Sequence, residues 1–68
     1  MKELDKFQLE YILKRLHEIR GKVWILIELT ESTIDGIYTQ SELRRAIMYT
    51  RDVIKRLFEE VLELWQDK

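Results

Sequence analysis

The sequence predicts a small all-α protein, and three observations support this fold class. Apolar residues of the first half recur at alternating spacings of three and four, as on one side of an amphipathic helix. Apolar residues after Gln40 keep the same helical phase, with no proline or glycine among them. A short polar connection with the turn dipeptide Asp35-Gly36 separates the two stretches. The 68 residues thus form a single helical domain: an N-terminal helix over 1–30, a loop over 31–39 and a helical segment over 40–67.

The N-terminal helix is predicted from a seam of apolar residues that face one direction: Leu9, Ile12, Leu16, Ile19, Val23 and Leu26. Gly21 interrupts the seam, and a lone interior glycine costs about 1 kcal/mol relative to alanine without requiring a break. The segment from Val23 to Ile27 is rich in strand-forming residues. Because the chain offers no partner strand, we expect this segment to be helical.

The second helix begins at a capping box, in which Thr39 and Glu42 satisfy backbone donors reciprocally. Two courses remain open beyond it. In one, the helical segment over 40–67 breaks near 48–50 and forms a helix-turn-helix-like segment. In the other, the helix is continuous and folds back on the first as a helical hairpin, which dimerises into a four-helix bundle.

The chain has more large apolar side chains than one small domain covers. It contains no cysteine, so no disulfide compensates for a thin core. Aromatic residues fall in both halves, and Trp65 extends the apolar stripe beyond any assured intramolecular partner. We therefore expect a homodimer, with a predicted interface of Leu9, Ile12, Leu16, Ile19 and Trp65.

The sequence offers no set of residues typical of catalysis or of metal binding. His17 is the single histidine, and Glu59, Glu60 and Glu63 lack the Glu-x-x-His pattern of helical di-metal sites. No glycine-rich phosphate loop is present. The sequence therefore predicts a protein that is not an enzyme and takes no cofactor, no metal and no small-molecule substrate.

The longest apolar run is too short to cross a membrane, and the first residues do not form a basic-then-apolar leader. The absence of cysteine fits a reducing compartment. We therefore expect a cytoplasmic protein that does not contact a membrane.

Positive charge is concentrated in the second half, although the net charge of the chain is only −1. Between Thr39 and Leu57 the acidic residues are Glu42 and Asp52, and the basic ones are Arg44, Arg45, Arg51, Lys55 and Arg56. A local basic patch in a neutral protein is typical of a compact nucleic-acid contact. It is also compatible with the ordinary charged face of a solvated helix.

The stretch from Trp24 to Leu64, WILIELTESTIDGIYTQSELRRAIMYTRDVIKRLFEEVLEL, resembles the helix-turn-helix core of winged-helix transcription regulators such as MarR-like and IclR-like proteins. The resemblance consists of a polar loop, a capped helix that begins at Thr39–Leu43, and a second cap residue followed by a basic residue, Thr50-Arg51. It does not include the wing. The buried positions of that family would fall on Leu43, Ile47, Tyr49, Ile54 and Leu57.

The resemblance implies a small dimeric protein that binds double-stranded DNA and regulates transcription. Residues Thr50, Arg51, Lys55 and Arg56 would lie on the recognition helix, where Arg51 and Lys55 face the major groove. Residues Gln40, Arg44 and Arg45 would contact the phosphate backbone.

Two residues depart from the family pattern and favour the alternative course of the chain. Arg44 stands where such proteins have a small residue, and Met48 stands where they often have glycine. Both changes favour a continuous helix. The alternative is thus a helical-hairpin interaction protein, a four-helix-bundle dimer that binds protein, or RNA as small bundle proteins of the Rop type do. A continuous helix over 47–51 would rule out the helix-turn-helix geometry.

Overall fold

The computed structural model describes residues 2–66 and confirms the all-α fold class. Its two helices are α1, Lys6–Ile34, and α2, Gln40–Glu63. They pack side by side as an antiparallel helical hairpin that measures 48 × 20 × 12 Å. The predicted helical segment over 40–67 reaches Asp67, which lies outside the described residues.

Both ends of α1 are fixed by local hydrogen bonds. Asp5 is the N-cap, and its side chain accepts from the backbone N–H of Gln8, whose side chain accepts in return from Asp5. At the other end Gly36 has a φ of +81°, and the amides of Gly36 and Ile37 donate to Thr33 and Ser32. This is a Schellman motif. The prediction that residues 31–34 belong to the loop was therefore wrong, because Gly36 is the first residue to adopt the left-handed conformation that ends the helix.

The middle of α1 is continuous helix, as predicted. Gly21 lies in its interior, and a Cβ atom added there would meet no atom within 4 Å. The β-prone segment from Val23 to Ile27 is also helical. Its side chains project in several directions around the helix, and two of them, Val23 and Ile27, are among the exposed apolar residues on one side of the hairpin.

The capping box at the start of α2 is formed as predicted. The amide of Glu42 donates to Thr39 Oγ1 over 3.1 Å, and the amide of Thr39 donates to Glu42 Oε1 over 3.2 Å. The predicted turn at 48–50, however, is absent, because α2 is helical throughout 47–51. Met48 is a good helix former, and α2 contains neither glycine nor proline, so nothing in its sequence ends the helix there.

The core of the hairpin is thin. Within residues 2–66 the most buried residues are Ile19, Leu57 and Val61, each 7–9% exposed, and no large side chain there is fully enclosed. The 12 Å thickness corresponds to one layer of helices, whereas a stable core needs two packed layers. The radius of gyration is 15.8 Å, against about 11 Å for a compact domain of this length.

Candidate interaction face

One side of the hairpin carries a broad set of exposed apolar side chains, which we call the apolar face. Each of its members is 41–79% exposed. Six members lie on α1 and three on α2: Leu9, Leu13, Leu16, Val23, Ile27, Ile34, Ile47, Phe58 and Leu62.

The helical geometry explains why both helices contribute to the same side. Each residue turns the chain by about 100°. On both helices the members of the apolar face lie about a quarter turn beyond the residues that pack against the other helix, in the direction in which the chain winds. Because the helices are antiparallel, this equal shift brings both sets to one side of the hairpin. A groove of about 800 Å³ at the loop end is accordingly lined by Ile34 of α1 together with Leu43 and Ile47 of α2.

The opposite side carries the one ion pair between α1 and α2 within residues 2–66. Arg15 Nη2 lies 3.3 Å from Glu60 Oε2, and Arg15 Nη1 donates to Glu18 over 3.0 Å. The Arg15 Nε–H donates to the Tyr11 hydroxyl over 3.0 Å. The hydrogen bond to Tyr11 and then that to Glu18 raise the pKa of Arg15 above its ordinary value, because both favour the charged guanidinium.

Glu60 depends on this ion pair. Its Oε2 is buried and has no hydrogen-bond partner, so the charge of Arg15 is its only described compensation. The pair marks the register of the hairpin, in which residue 15 of α1 lies beside residue 60 of α2.

The predicted dimer residues fall into three environments. Leu9 and Leu16 are exposed members of the apolar face. Ile12 and Trp65 are half-buried. Ile19 is buried within the hairpin, because the seam on which it lies packs against α2 of the same chain. It belongs to the core and is not available as a surface contact.

The predicted DNA-contacting residues do not converge on one site. Gln40, Arg44, Arg51 and Lys55 project from one side of α2, next to the apolar face, whereas Arg45 and Arg56 project about a quarter turn farther round. Thr50 is in the interior of α2 and half-buried, lining a groove with Leu26 and Leu29. It is therefore not a helix cap, and the predicted second cap at this position is absent. We call Arg44, Arg51 and Lys55 the basic edge.

Most of the apolar face was not predicted, although a second row of apolar residues in the α1 sequence indicates it. Leu9, Leu13, Leu16, Val23 and Ile27 form a second row at spacings of three and four, with Arg20 at the one polar position. This row overlaps the seam that packs on α2. A helix with two adjacent apolar rows is expected to contact two neighbours, as in a bundle.

Other kinds of site find no support in the described part of the chain. No group of three or more side chains within residues 2–66 is placed to hold a metal ion, and His17 is exposed. None of the helices there is long and apolar enough to cross a membrane.

Comparisons with known proteins return no relative of this chain. Neither the family models, nor the curated proteins, nor the solved structures gave a match. The candidate site therefore rests on the chemistry and geometry of the hairpin alone.

Proposed function

We propose that this protein is a non-enzymatic interaction protein that works as a homodimer, in which two hairpins bury their apolar faces in a four-helix bundle. The observation that carries this proposal is the position of the exposed apolar side chains. The nine members of the apolar face lie on one side of a plate one helix thick, which is the side a second layer would cover.

The exposed area is large enough to support a stable dimer. The chain exposes 5876 Å², whereas a compact monomer of its mass is expected to expose about 4,600 Å². The excess of about 1,300 Å² exceeds the roughly 800 Å² that each partner buries in a standard interface. A second hairpin supplies a matching apolar face of the same length.

Substitution of Phe58 by glutamate tests the proposal. Phe58→Glu places a charge in the middle of the proposed interface and is expected to convert the dimer to a monomer with lower thermal stability. Tyr49→Glu is the matched control, since Tyr49 is a 73% exposed aromatic residue of α2 on the other side of the hairpin. The midpoint of thermal unfolding, measured over a hundredfold range of concentration, should rise with concentration for the wild type and the control. A wild-type midpoint that does not depend on concentration contradicts the proposal.

Binding of double-stranded DNA, as in a transcriptional regulator, is a second candidate, favoured by one observation. Within residues 2–66 the side chains of Arg44 and Lys55 form no ion pair, and that of Arg51 pairs only with the adjacent Asp52. Three exposed cations thus lie along one side of α2, where they can contact backbone phosphates. Without the turn, any such contact would use the length of α2 instead of a recognition helix inserted by a helix-turn-helix.

Measurement of duplex DNA binding at several salt concentrations tests this candidate. Affinity should fall steeply with salt, and Arg51→Ala and Lys55→Ala should each make the slope shallower by about one unit. Lys14→Ala, which removes a cation from the exposed surface of α1, serves as the control. Absence of DNA binding at low salt rules out DNA binding as a function. Tighter binding of duplex RNA than of duplex DNA would also rule it out and would indicate RNA as the ligand.

A further inference from the structure

We infer that the two hairpins associate about a two-fold axis parallel to their helices, with both loops at the same end, so that α1 of one copy packs on α2 of the other. This inference rests on the proposed dimer and specifies its partner, a second copy of this chain in one orientation. An axis perpendicular to the helices would instead put the loops at opposite ends and pack α1 on α1 and α2 on α2.

The register of the hairpin determines which residues meet in the proposed dimer. Arg15 and Glu60 lie at the same height along the helix axes. Both helices rise by about 1.5 Å per residue and run in opposite directions. A residue that follows Arg15 by a given number of positions therefore lies at the same height as the residue that precedes Glu60 by that number. A two-fold axis parallel to the helices leaves heights unchanged. Two positions, one on α1 and one on α2, that lie at the same height within one hairpin therefore also lie at the same height when the α2 position belongs to the partner.

Two apolar pairs follow from this rule, and the remaining members of the apolar face lie at the height of polar residues of the partner. Leu13 lies at the height of Leu62, and Ile27 lies at the height of Met48. All four are 39–59% exposed; Leu13, Ile27 and Leu62 belong to the apolar face, and Met48 lies beside it. The dimer would therefore extend the buried area to both borders of the face, where water would otherwise reach the core.

Charged and aromatic residues are also complementary. Glu31 lies at the height of Arg44, and Trp24 lies at the height of Arg51. Trp24 is 59% exposed, and its indole N–H donates to Glu28 over 2.9 Å, which holds the ring at the border of the face. A guanidinium from the partner can stack on this ring. Two of the three basic-edge residues thus gain a partner across the subunit contact.

The opposite-end arrangement lacks the contacts of Glu31 with Arg44 and of Trp24 with Arg51. It would place the basic edge of one α2 against the basic edge of the other, which brings Arg51 of one copy close to Lys55 of the other. The same-end arrangement contains one like-charged pair, Arg20 with Lys55. Both are exposed, and long side chains at a border extend their charges into water.

A charge exchange tests the pairing of Glu31 with Arg44. Glu31→Arg and Arg44→Glu should each weaken the dimer about tenfold, because the like-charged contact occurs twice in a symmetric dimer. The double variant should restore the wild-type dissociation constant. Arg45→Glu, an exposed charge on another side of α2, is the control and should leave it unchanged. A double variant as weak as the product of the two single effects overturns the pairing.

Spin-label distances test the orientation directly, and the chain has no cysteine of its own to interfere. Asp35→Cys places a label in the loop. The same-end dimer predicts a separation close to the 20 Å width of the hairpin, whereas the opposite-end dimer predicts one close to its 48 Å length. Gly21→Cys places a label at mid-height, where both orientations give a short distance and no existing atom is displaced.

The two positions together separate the orientation from the dimer itself. A short distance at both positions supports the inference. A long distance at residue 35 with a short one at residue 21 overturns the orientation and leaves the proposed dimer intact. No intermolecular distance at either position overturns both.

Discussion

At the scale of single residues, Arg15 connects the two helices. Its guanidinium contacts Glu18 and Tyr11 of its own helix and Glu60 of the other. The sequence did not indicate this cluster, because Arg15 and Glu60 are 45 positions apart and charge pairs across a hairpin depend on register. Register is a property of the packed helices and the loop together, so local patterns do not predict it.

Removal of the Arg15 charge should destabilise the hairpin. Arg15→Met leaves Glu60 Oε2 buried without compensation, and we expect the free energy of unfolding to fall by more than it does on loss of a fully exposed ion pair. The double variant with Glu60→Gln should recover most of the loss. Lys6→Met, which breaks an exposed pair with Glu10, should have almost no effect. Urea denaturation measures all three, and equal effects of Arg15→Met and Lys6→Met would show that the ion pair contributes nothing specific.

At the scale of elements, the features encoded within a few residues were the predictable ones. The capping box of Thr39 and Glu42 and the left-handed Gly36 act over one helical turn, and both are formed. The turn expected at 48–50 was wrong because the apolar spacing of a helix-turn-helix core also fits one continuous amphipathic helix. The choice between them depends on whether the residues at the turn can leave the helix, and Met48 favours staying in it.

A glycine at position 48 tests the continuity of α2. Met48→Gly should be less stable than Met48→Ala by about 1 kcal/mol, because glycine loses more backbone freedom in a helix interior. The alanine variant removes the same side-chain contacts and is therefore the matched reference. A turn at this position would instead tolerate glycine as well as alanine or better. Equal stability of the two variants in thermal unfolding would thus argue against a continuous helix.

At the scale of the whole molecule, the hairpin is a single layer of two helices, and the proposed dimer would add a second layer. Its helices bury only a narrow strip between them, and the second apolar row of α1 continues the strip onto an open surface. The same-end dimer would enclose that surface and provide partners for Glu31 and Trp24. It would also engage Arg44 and Arg51, so the dimer contact and the nucleic-acid candidate compete for the same cations.

The mass of the protein in solution shows directly whether two hairpins form a dimer. Sedimentation equilibrium of the wild-type chain at micromolar concentration should give about 17 kDa, twice the 8.4 kDa of one chain, in a closed two-fold dimer. A mass of 8.4 kDa that persists as the concentration rises would contradict the proposed dimer, because the apolar face would then remain exposed to water in the native protein.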